Sequence, residues 1–259
     1  MVKDLENKYG LILGGSSGLG YATAQKCAAH GMKLIVIYRS GRSHQEVINQ
    51  RFEKLENATD HLFINADATN ESKIPDLLQQ IQSYLNGNPI FLMLHSISKG
   101  NLKPMTGDTP LNSGDFSQTI YSMGISLYSW AQALRQAQLL ANPARIISFT
   151  SEGNHKPMPA YAAVSAAKAT LEAITRNMAL EFAKEGITTN CIQAGVTDTE
   201  SLQRIPMYEA LKANSLQRNP FGRLTQPEDV ANAVYLLCRP EAAFINGTVI
   251  QVDGGESLT

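Results

Sequence analysis

The sequence predicts an α/β protein, a single domain over residues 1–259 built on a doubly wound parallel sheet of seven strands flanked by helices. Three observations predict this. Apolar runs of strand length alternate with segments of helical period along the whole chain, the pattern of a parallel sheet whose crossovers are helices. The first run, Tyr9–Leu13, passes straight into the glycine-rich turn Gly14-Gly-Ser-Ser-Gly-Leu-Gly20 and then a helical segment, the order a first βα unit requires. No linker, internal repeat or low-complexity stretch interrupts the alternation, and a chain of this size buries about 70–75% of its unfolded surface.

Taken in order, Tyr9–Leu13 reads as a buried strand because it is short, apolar and ends in glycine. The turn after it has the spacing Gly14-x3-Gly18-x-Gly20. Gly14 permits the tight bend, Gly18 lets backbone approach a diphosphate, and Gly20 lets helix and strand pack closely. The helix over 21–30 then offers its free N–H groups to an anion. Lys33–Tyr38 is the second strand and 43–57 a helix. Residues 61–65 are the third strand, leading into Asp67 and Ala68; a helix over 72–85 and a fourth strand over 89–94 follow. His95-Ser-Ile-Ser-Lys-Gly100 leaves the carboxyl end of that strand, where ligands bind in such sheets. Pro104, Gly107, Pro110 and Gly114 mark 101–115 as a loop. A long helix is expected over 115–140, and a fifth strand over 144–150 delivers Ser151. A loop at 152–159 precedes a helix over 161–183. The sixth strand, 187–193, runs to Gly195, and the last, 248–252, closes on Asp253-Gly-Gly255.

Composition narrows the function. The chain is 43% hydrophobic and 17% charged, with a formal net charge of −1. Near-neutral charge without basic blocks argues against nucleic acid as the partner. No apolar run reaches membrane-spanning length, and the polar start, Met1 to Lys8, lacks the core of a secretion signal. Cys27, Cys191 and Cys238 have no CxxC or metal spacing and read as reduced core thiols of a cytoplasmic protein. The five histidines show no paired spacing, so no metal is expected.

Two stretches carry chemistry. An NAD site ends its second strand in a carboxylate about 20 residues past the glycines. Here Tyr38-Arg-Ser-Gly-Arg42 stands there, with no carboxylate before Glu46. Arg39, with Ser40 or Arg42, can clamp a 2′-phosphate instead, which favours NADPH over NADH; an exposed loop arginine is the bland alternative. Tyr161 and Lys168 are separated by about 700° of helical turn and share a face. A buried Lys ammonium is expected to make a nearby phenol more acidic, giving a proton donor beside a hydride donor. Taken alone, the pair also reads as a helix-face aromatic and a solvated base.

The ordered set Gly14-x3-Gly18-x-Gly20, Asp67-Ala68, Ser151, Tyr161 with Lys168, Asn190-Cys-Ile-Gln-Ala-Gly195, Thr199 and Val252-Asp-Gly-Gly255 resembles the short-chain dehydrogenase/reductase family over nearly the whole chain. That family's commoner branch pairs Tyr-x3-Lys, but the residue four before Lys168 is Val164. Tyr-x6-Lys instead resembles the bacterial NADPH-dependent enoyl-acyl-carrier-protein reductases. So do Leu94-His-Ser-Ile97, Gly195-Val-Thr-Asp-Thr199, Leu171-Glu-Ala-Ile-Thr-Arg176 and the Arg223 region. The resemblance implies a Rossmann-like fold and an NADPH site formed by Gly14, Ser16, Ser17, Gly18, Leu19, Gly20, Arg39, Ser40, Asp67, Ala68, Ser96, Ile97, Lys168, Gly195, Thr197 and Thr199. It implies catalysis by Tyr161 and Lys168 with Ser151, a substrate lid over about 197–222, and a homotetramer packed through the helices at 115–140 and 161–183. The substrate would be an acyl thioester on acyl carrier protein or CoA, in fatty-acid elongation.

The sequence departs from the family at several positions. Leu13 replaces the usual Thr before Gly14, and Met123 lies near the place where ketone-reducing members carry a relay Asn. Ser151 matches the commoner branch's substrate-binding Ser, where some enoyl reductases have a second Tyr; binding a carbonyl and capping a strand end both remain readings of it. His155, in the adjacent loop, reads as solvated. Leu202, Ile205, Met207, Leu211, Leu216 and Phe221 give the lid the apolar character of an acyl pocket or of an ordinary amphipathic helix. Arg204, Lys212, Arg218 and Arg223 outnumber Glu200 and Glu209 there, a basic rim suited to an acidic carrier or a CoA phosphate. Three other functions stay open. Ser165-Ala-Ala-Lys168 and Ile245-Asn-Gly247 also resemble 2,4-dienoyl-CoA reductases, a carbonyl or hydroxysteroid reductase is a second alternative, and a non-catalytic dinucleotide-binding regulator is a third.

Overall fold

A computed structural model describes residues 2–56 and 60–259. The seven apolar runs pair into one parallel sheet of order β3-β2-β1-β4-β5-β6-β7. Its strands are β1 Tyr9–Leu13, β2 Lys33–Tyr38, β3 Leu62–Asn65, β4 Ile90–His95, β5 Leu140–Ser151, β6 Ile187–Ala194 and β7 Val249–Val252. The chain steps outward from β1 to β3 and returns to place β4 on the other side of β1. Leu13 at the end of β1 is thus in register with Ile37 of β2 and with His95 of β4. A crevice opens at the carboxyl ends of the strands where the winding direction reverses.

Helices cover both faces, which is why the strands are apolar throughout rather than alternating. Against one face lie α1 (Gly18–Ala29), α2 (Gln45–Glu56) and α8 (Pro227–Leu237), through Cys27, Phe52 and Val234. Against the other lie α3 (Ile74–Leu85), α5 (Ser126–Gln136) and α6 (Ala162–Glu181), through Leu77, Trp130 and Leu171. The Trp130 indole also donates to the Ala68 carbonyl at 2.8 Å, pinning the turn after β3. Among the described residues no helix is long and apolar enough to cross a membrane.

Several boundaries differ from expectation. The helix expected over 43–57 opens with a 3-10 turn, Arg42–His44, before α2; its expected end at 57 lies outside the described residues. The long helix expected over 115–140 is divided into α4 (Ser113–Ile120), a wide π turn (Tyr121–Ile125) and α5. An Asn112–Asp115 capping box starts α4 early. In the wide turn the Ser126 hydroxyl donates back to the Ser122 carbonyl at 2.8 Å. Gly124 there packs so close to α6 that a Cβ would stand 3.0 Å from the Ala167 carbonyl oxygen. β5 starts at Leu140, before the expected 144. Helix α8 has no expected counterpart; its start signal, Gln226-Pro-Glu-Asp229, forms a capping box with Pro227 in the first turn. Helix α6 begins one residue after Tyr161, which is its N-cap. The aromatic therefore stands at the mouth of the helix rather than on its face.

Candidate active site

The carboxyl ends of β1, β4, β5 and β6 surround a cleft of about 770 Å³, within the range of small-molecule and cofactor sites. Its first wall is backbone. Gly14 has φ +90, and a Cβ there would lie 2.5 Å from the Ser96 carbonyl oxygen, so the β1 turn presses directly on the loop after β4. Gly20 faces inward: its Cβ would come 2.2 Å from the Gly14 carbonyl oxygen, so only glycine lets α1 seat against β1. Gly18 opens α1 with φ +53 on the open side, its nearest neighbour the Thr199 methyl. Ser17, the N-cap, makes no capping bond with its side chain, leaving its hydroxyl and the first-turn N–H groups turned to the cleft. This cradle fits the diphosphate of a dinucleotide.

The second wall holds the hydroxyls. Ser151, the last residue of β5, stands with its Oγ 3.1 Å from the Tyr161 Oη. Gly153 makes room for the Tyr161 ring; a Cβ there would lie 2.4 Å from its Cε1. The turn carrying Gly153 is anchored from behind: buried Glu172 on α6 accepts from Asn154 and from the Thr150 hydroxyl, the latter at 2.6 Å. Lys168, one turn before Glu172, is buried and donates to the Phe149 carbonyl at 2.6 Å.

The electrostatics correct one expectation. Burial pushes the Tyr161 phenol up, against a smaller pull from Ser151, and Lys168 is not among the groups that shift it. Tyr161 is thus a protonated donor at neutral pH, not an acidified phenol, because burial outweighs the Ser151 hydrogen bond. Burial pulls the Lys168 ammonium down to about 8, partly offset by Cys191 and Glu172. His95, at the end of β4, is pushed down to about 3 by burial first and Lys168 second, so it is neutral. Since the Ser126 proton goes to Ser122, His95 Nε2 donates to Ser126 Oγ at 2.8 Å.

Most of the expected site converges. Gly14, Ser16, Ser17, Gly18, Leu19, Arg39, Asp67, Ala68, Ser96, Ile97, Gly195, Thr197 and Thr199 line the same cleft as Ser151, Tyr161 and Lys168. Gly20 and Ser40 do not. Gly20 is consumed by helix packing, and the Ser40 hydroxyl turns outward to the Gly41 carbonyl. Beyond β6, Leu202, Ile205 and Leu211 line the cleft, whereas Met207, Leu216 and Phe221 are exposed, so only part of that apolar set faces inward. The basic rim is largely neutralised: Lys212 pairs with Asp198 at 2.6 Å, Arg218 with Glu152 at 2.7 Å and Arg223 with Asp229 at 2.6 Å. Of the four cations, only Arg204 has no acidic partner among the described residues. His155 is 73% exposed and 4.0 Å from Glu172, at the surface as expected.

Leu102 and Met158 are cleft residues that had no motif to announce them. Leu102, Met123, Met158, Val164 and Ile205 pack with Tyr161 into an apolar patch. Lys99 reaches Asp67 from the loop after β4. Glu152 and Arg218 tie that patch's loop to α7 (Tyr208–Arg218).

A family model described as "Enoyl-(Acyl carrier protein) reductase" matches residues 14–257. The chain belongs to the short-chain dehydrogenase/reductase family. Among relatives in this oxidoreductase family is the 3-oxoacyl-[acyl-carrier-protein] reductase FabG of Escherichia coli, 28% identical over 97% of this chain and 98% of the relative. Among solved structures, the NADH enoyl-[acyl-carrier-protein] reductase of Aquifex aeolicus superposes with a TM-score of 0.86 at 26% identity, over 98% of both chains. A Burkholderia cenocepacia short chain dehydrogenase in complex with NADP superposes with a TM-score of 0.82 at 25% identity, over 97% of this chain and 98% of that one. The family's Rossmann-like fold is the one seen here, and these similarities span both enoyl and 3-oxoacyl reductases.

Proposed function

We propose that this protein reduces the trans-2 double bond of an enoyl thioester, carried on acyl carrier protein or CoA, with hydride from NADPH in fatty-acid elongation. One observation carries the reading: the hydroxyl paired with Ser151 in the cleft belongs to Tyr161, while Val164, four residues before Lys168, is buried in an apolar patch with Met123. In ketone reduction the oxygen that gains charge is bonded to the carbon that takes hydride. In enoyl thioester reduction hydride reaches C3 and charge develops on the thioester oxygen, several bonds away. A tyrosine three residues earlier along the chain moves by about 4.5 Å at helical rise, in the sense the longer span needs.

Bound NADPH supplies hydride to the cleft. The chain's own groups do the rest. The Tyr161 phenol, kept protonated by burial, donates to the developing enolate oxygen, an oxyanion-hole role. Ser151, 3.1 Å away, fixes the direction of that hydroxyl. Lys168, lining the cleft, would hold the nicotinamide ribose hydroxyls and add positive charge there. Leu102, Met158 and Ile205 exclude water around the acyl chain, with the segment 197–222 as lid. Arg39, its side chain largely exposed and paired with Asp67 only at 3.3 Å, can turn to meet a 2′-phosphate. A cytoplasmic homotetramer belongs to the same reading.

A second reading, reduction of a 3-oxoacyl thioester, is favoured by the Ser151–Tyr161 hydrogen bond and by the E. coli relative. Following NADPH oxidation at 340 nm with a short trans-2-enoyl thioester, beside a 3-oxoacyl thioester and NADH, separates the two. Turnover confined to the enoyl substrate with NADPH supports the first reading; turnover confined to the 3-oxoacyl substrate replaces it with the second.

A further inference from the structure

Three charged side chains meet at the far end of the cleft, from the ends of β2, β3 and β4. Asp67 Oδ1 accepts from the Thr69 N–H at 2.9 Å and the Thr69 hydroxyl at 2.6 Å. Its Oδ2 accepts from Lys99 Nζ at 2.9 Å and, more distantly, from Arg39 Nη1 at 3.3 Å. Lys99 Nζ also reaches the Thr69 hydroxyl oxygen at 3.0 Å. The Arg39 side chain is 62% exposed, against 32% for Lys99 and 26% for Asp67. Lys99 is therefore the committed partner of the carboxylate and Arg39 the marginal one. All three line the cleft.

A carboxylate so close to Arg39 is a liability for an enzyme that must hold a phosphate dianion there. Unpaired, it would draw the guanidinium onto itself and repel the phosphate, both through Coulomb forces that act strongly over a few ångströms in a partly buried cleft. Two cations around one carboxylate leave a net positive charge of one, and the closer cation decides which is spent. We propose that Lys99 is a specificity-determining residue: by occupying Asp67 it releases Arg39 to bind the 2′-phosphate of NADPH. This rests on the NADPH reading given above. It adds that the choice between cofactors is set from the loop after β4 and not by the β2 end alone. Burial alone would push the Asp67 carboxyl up, but hydrogen bonds from Thr69 and Lys99 outweigh it and hold the group well below the usual carboxylate range. The carboxylate is thus permanently charged and permanently in need of a partner.

The test needs no turnover. Calorimetric titration of the full-length protein with 2′,5′-ADP and with 5′-AMP compares adenosine ligands with and without the 2′-phosphate. Lys99→Met keeps most of the side-chain stem and removes the charge. Its affinity for 2′,5′-ADP is expected to fall about tenfold, with 5′-AMP unchanged within about twofold. Adding Asp67→Asn to Lys99→Met should restore most of the lost preference for 2′,5′-ADP over 5′-AMP, and Lys99→Arg should retain that preference throughout. Equal losses for both ligands would make Lys99 a support for the adenine pocket and overturn the inference. So would a Lys99→Met protein that keeps the full preference for 2′,5′-ADP. If the unmodified protein binds both ligands equally, the NADPH reading itself fails and takes this inference with it, a result distinct from either of the others.

Discussion

The two halves of the cleft are built by different means. The glycine turn from Gly14 to Gly20 makes its wall from backbone, and its demands are met within seven consecutive residues. The wall around Tyr161 is made from side chains contributed by the loop after β4, the π turn, the loop after β5, α6 and the segment after β6. Backbone sites are written locally, since a missing Cβ is visible in the sequence. Side-chain sites are written across the fold, since Met123, Val164 and Ile205 become neighbours only when the sheet forms. In the proposed function the first half holds the dinucleotide and the second decides what is done with it.

Substitutions that touch one half and spare the other sharpen this division. The largest effect is expected in the backbone half. Gly20→Val places atoms where even a Cβ would be 2.2 Å from the Gly14 carbonyl oxygen. It should cost about 1–3 kcal/mol of stability or more and abolish dinucleotide binding, as read by urea unfolding and ligand titration. Next is Gly153→Ala in the side-chain half. Its Cβ would displace the Tyr161 ring, and turnover should fall about tenfold to a hundredfold while dinucleotide affinity holds. Loss of affinity in this variant would mean that the halves are not separable.

The smallest effect is graded and tests Lys168, to which the proposed function gives a part in both halves. With its ammonium pulled down to about 8, Lys168 is charged below that pH and neutral above it. Dinucleotide binding and turnover should therefore decline together as pH rises through about 8, and be flat on the acid side down to neutrality. A profile flat beyond pH 9 would show that the Lys168 charge is not required.

How much was legible in the sequence follows the same line. The strands, their alternation with helices and the glycine turn could be read because each is a local pattern of apolar period and missing side chains. Asp67, Ser151 and Lys168 could be read from motif order and do share the cleft. The break in the helix at Tyr121–Ile125 could not, because the segment packs, through Gly124, against the Ala167 carbonyl of a helix distant in sequence. The basic rim misled because counting charges ignores pairing: Lys212, Arg218 and Arg223 each found a carboxylate, and Glu152, the partner of Arg218, is distant in sequence. The expected acidification of Tyr161 failed likewise, since helical spacing does not reveal how deeply the phenol is buried. Lys99 carried no motif, and its meaning appears only beside Asp67.

The most direct test of the central claim is a single-turnover measurement with NADPH already bound, mixing trans-2-enoyl thioester with the unmodified protein and with Tyr161→Phe. The substitution removes the hydroxyl beside Ser151 and leaves the ring against Gly153. If Tyr161 stabilises the enolate oxygen, hydride transfer slows by about 10²–10³-fold while NADPH affinity is unchanged. Transfer at the unmodified rate would contradict the account, and the role given to the displaced tyrosine would have to be abandoned.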